Sequence, residues 1–599
     1  MPLTLRENKN IAFIEFDQED SKVNVLSGDV IKQLDKILDE LKGKTNLEAV
    51  VFASKKPGVF IAGADIKEIE NITDPLDGTR KAQAGQNLFN KIEDLKVPTV
   101  ALITGVALGG GCELALACQY RLATFNPKVS IGLPEVNLGF VPGFGGTYRL
   151  PRIVGLQESL KMILTGRPVN SEKALKIGLV DRVVTEVGLE YSLEEFVADI
   201  KKKKIHPDKY KRRRVKGLQK VLEESLFIQL FMTSQAKKGV LEQSKGFYPA
   251  PLKAIEVIKK NYYEKRAKGL LIESQAFGEL AVTDISKNLV KVFYLMEKYK
   301  KLSVSGAENI KPQKIDKCAV LGAGVMGGGI AQLLSSKDIW TRIKDINLDA
   351  IAKGFQAAGK IYHQGVQKRK FKPSEAQRKM AHITGTLDYS GFQNADMVIE
   401  AVVEKMEVKK KVFKELSEVT NQNTILATNT SALSVAEMAK DVKDPSKVIG
   451  LHFFNPVHRM PLVEIITTEK TSKETIVSTL NLVKRLGKTP ILVKDSCGFI
   501  VNRILLIYIN EGGRIFEETG ELERVDEVMT KFGMPMGPFL LSDEVGLDVG
   551  IKVLKILENG FGERFKPVSI FDKVFAKGLL GKKSRKGYYV HEKRRYPNP

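Results

Sequence analysis

Two glutamates 22 residues apart, each beside a glycine-rich turn, are the first residues in this chain whose types and spacing could do chemistry. Glu113 closes the run Gly109-Gly110-Gly111-Cys112-Glu113, and Glu135 closes Gly132-Leu133-Pro134-Glu135. Upstream lies Ala62-Gly63-Ala64-Asp65. Glycine lets backbone approach a ligand closely, because it carries no side chain. A helix opening on such a run presents N–H groups that lack intrahelical acceptors, at the positive end of its dipole. Two such N–H groups from different loops make an oxyanion hole for a thioester carbonyl. Two carboxylates beside them can divide acid and base duty in adding water across a double bond.

A second set begins at Gly322-Ala323-Gly324-Val325-Met326-Gly327, directly after the apolar run Cys318-Ala319-Val320-Leu321. A strand before and a helix after give this glycine pattern its dinucleotide-binding context. The first two glycines allow a tight turn and close approach to a pyrophosphate, and the third lets helix pack on strand. Asp345 follows a short second strand (WTRIKD), 18 residues past Gly327. A carboxylate there can bond both ribose hydroxyls and repel a 2'-phosphate, so NAD is expected rather than NADP. Farther on come Glu404, after the strand-like Met397–Val403, then Ser431 in ATNTSALS, His452 in GLHFFNPV, Glu464 in PLVEII and Asn502 in GFIVNR. His452 ends a β-type run, where open α/β sheets place ligand sites. Glu464, twelve residues on in the next expected strand, would orient the ring and stabilise its charged form.

These groups need strands to aim them and helices to back them. Residues 1–190 alternate strand-like and helix-like segments, among them Ile11–Phe16, Ala49–Ala53 and Thr99–Thr104. Residues 191–312 read as a helical linker region that ends in a polar connector from Lys300 to Pro312. Residues 313–493 read as a Rossmann-type unit, and residues 494–599 as a helical C-terminal domain. The expected class is α/β multidomain.

At roughly 150 residues per domain, 599 residues suggest about four domains. The composition, 43% hydrophobic and 28% charged, is that of a globular protein with several cores. The longest apolar run, Val97 to Cys118, contains Pro98, four glycines and Glu113, and reads as strand, turn and helix rather than a membrane span. The N-terminus lacks a charged start followed by an apolar core, so no signal peptide is expected. None of the four cysteines, Cys112, Cys118, Cys318 and Cys497, sits in a C-x-x-C pair; they read as buried reduced thiols, and no metal site is expected. The net charge of +23 concentrates in Lys201–Lys220, with eleven Lys or Arg and one acid, and in Lys582–Arg595. No nucleic-acid motif accompanies it. A solvated basic surface and peripheral contact with an anionic membrane stay open, as does attraction for a phosphorylated substrate.

The phrases AGADIKE, ALGGGCELALAC, GLPEVNLGFVPGFGGTYRLPR and LTGRPVNSEKALKIGLVD resemble the crotonase, or enoyl-CoA hydratase, family over nearly all of residues 1–190. The resemblance implies a ββα superhelix in which Glu113 and Glu135 are the catalytic pair and the N–H groups of Ala64 and Gly110 hold the thioester oxygen. Having both glutamates favours hydration, with Δ3–Δ2 isomerisation as a side activity. From residue 315 to about 590, the phrases LGAGVMGGGIAQ, DMVIEAVVE, NTSALS, GLHFFNPV and GFIVNRILL resemble the 3-hydroxyacyl-CoA dehydrogenase family. That resemblance implies His452 as the base for the 3-hydroxyl proton and Ser431 and Asn502 as partners of the reacting oxygen. It also puts Glu404 near cofactor or substrate.

The order hydratase, helical linker, dehydrogenase resembles the α subunit of the fatty-acid oxidation complex. It implies acyl-CoA thioesters as substrates, NAD as cofactor, a separate thiolase subunit as partner and a bacterial cytoplasmic setting in preference to a mitochondrial matrix. Relatives continue past a phrase like GKKSRKGYYV with a second helical domain, whereas this sequence stops at Pro599. Pairing of two chains through the C-terminal domain is one expected way to cover the face this leaves. The competing reading is a CoA- or NAD-binding scaffold with one dead site. Every catalytic position named above is intact, which argues against it.

Overall fold

The computed structural model describes residues 2–19, 21–205 and 225–598. The basic stretch Lys201–Lys220 therefore lies, beyond residue 205, outside the described residues. The chain divides into two compact units, Met1–Tyr294 and Leu295–Pro599.

In the first unit a two-strand turn repeats. The strands β1 (Leu3–Asn8), β2 (Ile11–Phe16), β3 (Ala49–Ser54), β5 (Thr99–Ile103), β7 (Tyr120–Thr124) and β9 (Arg182–Val184) form a six-stranded sheet in that order. All its pairs are parallel except β1–β2. The short strands β4 (Val59–Ile61), β6 (Val106–Leu108) and β8 (Ser130–Gly132) follow β3, β5 and β7 and form a second, parallel sheet in the order β4-β6-β8. Each turn thus lays one strand in each sheet before its helix, which is the ββα superhelix. β3 is buried along most of its length because both its faces are covered, as expected of a parallel sheet.

The helices Pro249–Asn261, Arg266–Ala281 and Asp284–Lys300 supply Ala254, Ile258, Phe277 and Val290 to the main core of this unit. Helix Arg266–Ala281 crosses helix Pro75–Glu93 closely: a Cβ on Gly78 would lie 2.9 Å from the Cα of Gly278.

The second unit holds an eight-stranded sheet. Its strands are β10 (Lys317–Leu321), β11 (Trp340–Lys344), β12 (Ile383–Thr386), β13 (Met397–Glu400), β14 (Ile425–Thr428), β15 (Val448–Phe453), β16 (Leu462–Thr467) and β17 (Thr489–Lys494). The order is β12-β11-β10-β13-β14-β15-β16-β17, with only β15–β16 antiparallel. The first six strands follow the dinucleotide-binding order, which reverses between β10 and β13. Along β10, Cys318 and Val320 join the core on one face, and Ala319 and Leu321 join the core on the other. The helices from Val501–Thr519 to Ser569–Ala576 enclose a third core around Leu506, Phe539, Leu554 and Phe571. In the second basic cluster, Lys582 and Lys583 are paired with Glu544 and Asp548. Among the described residues no helix is long and apolar enough to cross a membrane.

Candidate active sites

In the first unit the site grows from the ends of β4, β6 and β8. Because these strands are parallel neighbours, the residues that follow them converge: Ala64 after β4, Gly110 and Glu113 after β6, and Glu135 after β8. The Leu26–Ala64 bridge uses the N–H groups of Leu26 and Asp65, so in the alternating backbone the N–H of Ala64 faces the other way. Gly110 opens helix Gly110–Ala117, and its N–H has no intrahelical acceptor. The two N–H groups are close, for a Cβ on Gly110 would lie 3.4 Å from the Ala64 nitrogen. The turn between strand and helix has φ +52° at Gly109, and a Cβ there would lie 3.2 Å from Oε1 of Glu135. Lys287 fixes the segment after Ala64 by donating to the carbonyls of Ile69, Glu70 and Ile72 at 3.2, 2.5 and 2.7 Å.

Glu113 and Glu135 are both buried. Oε1 of Glu113 accepts the N–H groups of Phe144 and Gly146, each at 2.8 Å. Oε2 of Glu135 is buried without a hydrogen-bond partner. Burial pushes Glu135 up to about 8, its own backbone N–H pulls the other way, and the charge on Glu273 adds to the rise. Burial, followed by the charges of Glu135 and Glu273, also holds Glu113 well above the usual carboxylate range, against the two N–H groups it accepts. The two titrate as a pair. Geometry decides which one keeps the proton: two N–H donors favour ionised Glu113, and an unpartnered buried oxygen favours neutral Glu135.

In the second unit the glycine loop follows β10. Gly322 has φ +101°, and a Cβ on it would lie 2.5 Å from the carbonyl oxygen of Ala401, just past β13. A Cβ on Gly327 would drive into the carbonyl oxygen of Gly322. Gly324 faces open space, with no atom within 4 Å of such a Cβ. Turn, open cradle and close packing are thus divided among three glycines at the point where strand order reverses, as a pyrophosphate requires. Met326 packs on the core behind the loop. Asp345 accepts the N–H groups of Ala323 and Ile346, both at 2.6 Å, which sets its carboxylate against the loop. These residues fit a dinucleotide.

His452 and Glu464 are directly opposite residues of the β15–β16 pair. Oε1 of Glu464 accepts the N–H groups of Ile500 and Val501, both at 3.0 Å, so this carboxylate also caps helix Val501–Thr519. Phe454 and Phe499 flank the imidazole, with ring centroids 4.4 and 6.0 Å away. Glu404 gathers the next loop, its Oε1 accepting the Thr430 hydroxyl at 2.7 Å and the Ser431 N–H and hydroxyl at 2.8 and 3.1 Å. Asn502 donates to the Ser431 carbonyl at 2.7 Å. Asn429 accepts the Phe453 N–H at 2.9 Å, which ties the same loop to the strand that carries His452.

Sequence reasoning missed the support beneath this loop. Lys409, buried, lies 2.7 Å from Glu400 and 3.3 Å from Glu404. Burial alone would raise Glu404, but the Lys409 charge and the Thr430 and Ser431 donors outweigh it and lower it. Glu273, which binds the loop behind Glu113, was missed as well. Its signal was present: it falls on the buried stripe of its helix, three residues after Leu270 and four before Phe277.

Fold and sites together define a two-site enzyme that acts on acyl-CoA thioesters, one site hydrating and the other NAD-dependent and oxidising. The enoyl-CoA hydratase/isomerase family matches residues 6–247. The NAD-binding and C-terminal domains of 3-hydroxyacyl-CoA dehydrogenase match residues 317–496 and 498–591. The chain is similar to the fatty acid oxidation complex subunit alpha of Idiomarina loihiensis, 41% identical over 97% of this chain and 81% of that one. It is 40% identical to the subunit of the same name from Shewanella halifaxensis, over 98% of this chain and 82% of that one. The solved (S)-3-hydroxybutyryl-CoA dehydrogenase of Ralstonia eutropha shares 35% identity over 47% of this chain and all of that one, with a TM-score of 0.45. The chain belongs to the family of fatty acid oxidation complex alpha subunits, with enoyl-CoA hydratase and NAD-dependent 3-hydroxyacyl-CoA dehydrogenase activities on one polypeptide.

Proposed function

We propose that ionised Glu113 takes a proton from water as it attacks C3 of a trans-2-enoyl-CoA, and that protonated Glu135 delivers a proton to C2. The N–H groups of Ala64 and Gly110 hold the charge that builds on the thioester oxygen meanwhile. The product is a (3S)-3-hydroxyacyl-CoA. The observation that carries this reading is the contrast within the buried pair, one carboxylate anchored by two N–H groups and the other with an oxygen unpartnered.

At the second site, His452 removes the 3-hydroxyl proton, and Glu464 stabilises the imidazolium that results. Ser431, set by Glu404 and Asn502, accepts or donates at the reacting oxygen. The residues that would hold NAD are Gly322, Gly324, Met326, Gly327 and Asp345; when bound, NAD+ accepts the hydride from C3. The product is a 3-ketoacyl-CoA.

A 3-ketoacyl-CoA is the substrate for thiolysis, and a thiolase subunit is the partner we assign. Exposed Ile504 and Phe532 on the C-terminal helices suit pairing of two such domains. We place the reaction in a bacterial cytoplasm; the matched relatives named above come from bacteria.

The test is sequential. A short trans-2-enoyl-CoA is added and loss of enoyl absorbance followed; NAD+ is then added and NADH followed. Glu113→Gln should abolish enoyl loss, and with it NADH from the enoyl-CoA, while NADH from supplied (3S)-3-hydroxyacyl-CoA persists; His452→Gln should abolish only NADH formation. Hydration that survives Glu113→Gln would overturn the assignment of the base.

A further inference from the structure

Carboxylates hold the segment Gly143–Thr147 from two sides. The N–H groups of Phe144 and Gly146 point to Glu113, both at 2.8 Å. The intervening N–H groups of Gly145 and Thr147 point to Glu273, at 2.5 and 2.7 Å. Glu273 is 0% exposed. It also accepts the Thr147 hydroxyl at 2.5 Å and the Gln86 amide at 3.2 Å. The Gln86 amide is shared with the carbonyls of Gly143 and Leu270, at 3.0 Å each. Four donors on one buried carboxylate make a built site for that group, since a buried charge without them is strongly unfavourable. Leu270 and Phe277, one turn away on either side of the helix, are apolar, so packing alone does not call for a carboxylate here.

We infer that Glu273 is a positioning residue for hydration: by fixing the Gly145 and Thr147 N–H groups, it aims those of Phe144 and Gly146 at Glu113. This rests on the reading of Glu113 as the base. Gly145 is left-handed, at φ +111°, and Gly146 and Thr147 open helix Gly146–Val154, so this bend turns successive N–H groups to opposite carboxylates, and anchoring one set orients the other. The ionisable groups around Glu273 are Glu113 and Glu135 on one side and Arg149 on the other. Arg149 donates to the Phe144 carbonyl at 2.9 Å and pairs with Glu93 at 3.1 Å. A charge on Glu273 makes both active-site glutamates harder to ionise. Its loss would therefore move the alkaline limb of hydration to lower pH.

The test is Glu273→Gln in the full chain. Hydration kcat should fall about 10- to 100-fold, as for a small misplacement of a reacting group. KM should stay within about threefold, because the acyl-CoA contacts are untouched. The alkaline limb should move to lower pH. NAD-dependent oxidation by the same preparation should be unchanged, which controls for folding and concentration. Wild-type kcat with an unmoved limb would overturn the inference. If melting shows that Glu273→Gln unfolds the first unit, Thr147→Val decides, since it removes one of the four donors to Glu273, together with the acceptor of the Asn261 amide at 3.2 Å. A smaller loss of kcat in the same direction supports the role, and wild-type kcat overturns it. Glu113→Gln, assayed alongside, separates failure of the base assignment from failure of the positioning role.

Discussion

Nδ1 of His452 lies 2.7 Å from Oε2 of Glu464, across an antiparallel strand pair whose register sets the two residues opposite each other. With the other Glu464 oxygen bound to two backbone N–H groups, the carboxylate cannot turn away, and it holds the His452 ring with Nε2 as the free nitrogen.

Glu464→Gln is expected to lower dehydrogenase kcat by about 10²- to 10⁴-fold, the range general-base catalysis supplies. The amide keeps the shape but cannot stabilise an imidazolium. Hydration should be unaffected. A stopped-flow NADH assay on (3S)-hydroxyacyl-CoA, with enoyl loss measured in parallel, checks both statements.

Hydration should decline as pH rises past about 8, where Glu135 loses the proton it must deliver. Stability should follow the same group. A carboxyl whose folded-state value is raised binds its proton more tightly when folded, so its contribution is full below the unfolded value near 4.5 and is lost as pH rises towards about 8. Glu135→Gln should therefore raise the melting temperature of the first unit more at pH 8 than at pH 5. Calorimetry at the two pH values measures this.

Gly324→Ala and Gly327→Ala should fail differently. At Gly324 a methyl group meets open space, so folding should survive while KM for NAD+ rises about tenfold or more through lost backbone approach. At Gly327 the methyl group meets backbone, and a loss of about 1–3 kcal/mol or more is expected from overpacking. Melting curves and NADH titration of the two variants distinguish the outcomes.

Lys409→Met should destabilise the second unit by roughly 3–5 kcal/mol, because it leaves Glu400 and Glu404 without their shared cation. Denaturant melts would show it. The dehydrogenase should lose activity before it loses its fold, since Glu404 then holds the Ser431 loop less firmly.

Chemistry that lies close along the chain is readable from sequence; chemistry assembled by packing is not. The glycine loop and Asp345 follow successive strands, and the His452–Glu464 pair needs only two adjacent strands in register. Glu113 and Glu135 each adjoin a glycine-rich turn that stands out in the bare sequence. Glu273 and Lys409 have no such marker, because each sits on an ordinary helix and meets its partners only after that helix docks. Glu273 and Thr147 are more than a hundred residues apart, and nothing local in either segment announces the other.

The position of Glu273 also sets a timetable during synthesis. The last sheet strand of the first unit, β9, ends at Val184, and Glu273 follows ~90 residues later. At about 5–20 residues per second, the ribosome needs roughly 4–18 s to cover that distance. For that interval every strand of the hydratase has been made, yet the loop that aims its base has no second anchor. On the role proposed for Glu273, the nascent hydratase has not reached its full rate over that interval, and the apolar surface that helix Arg266–Ala281 covers is still open.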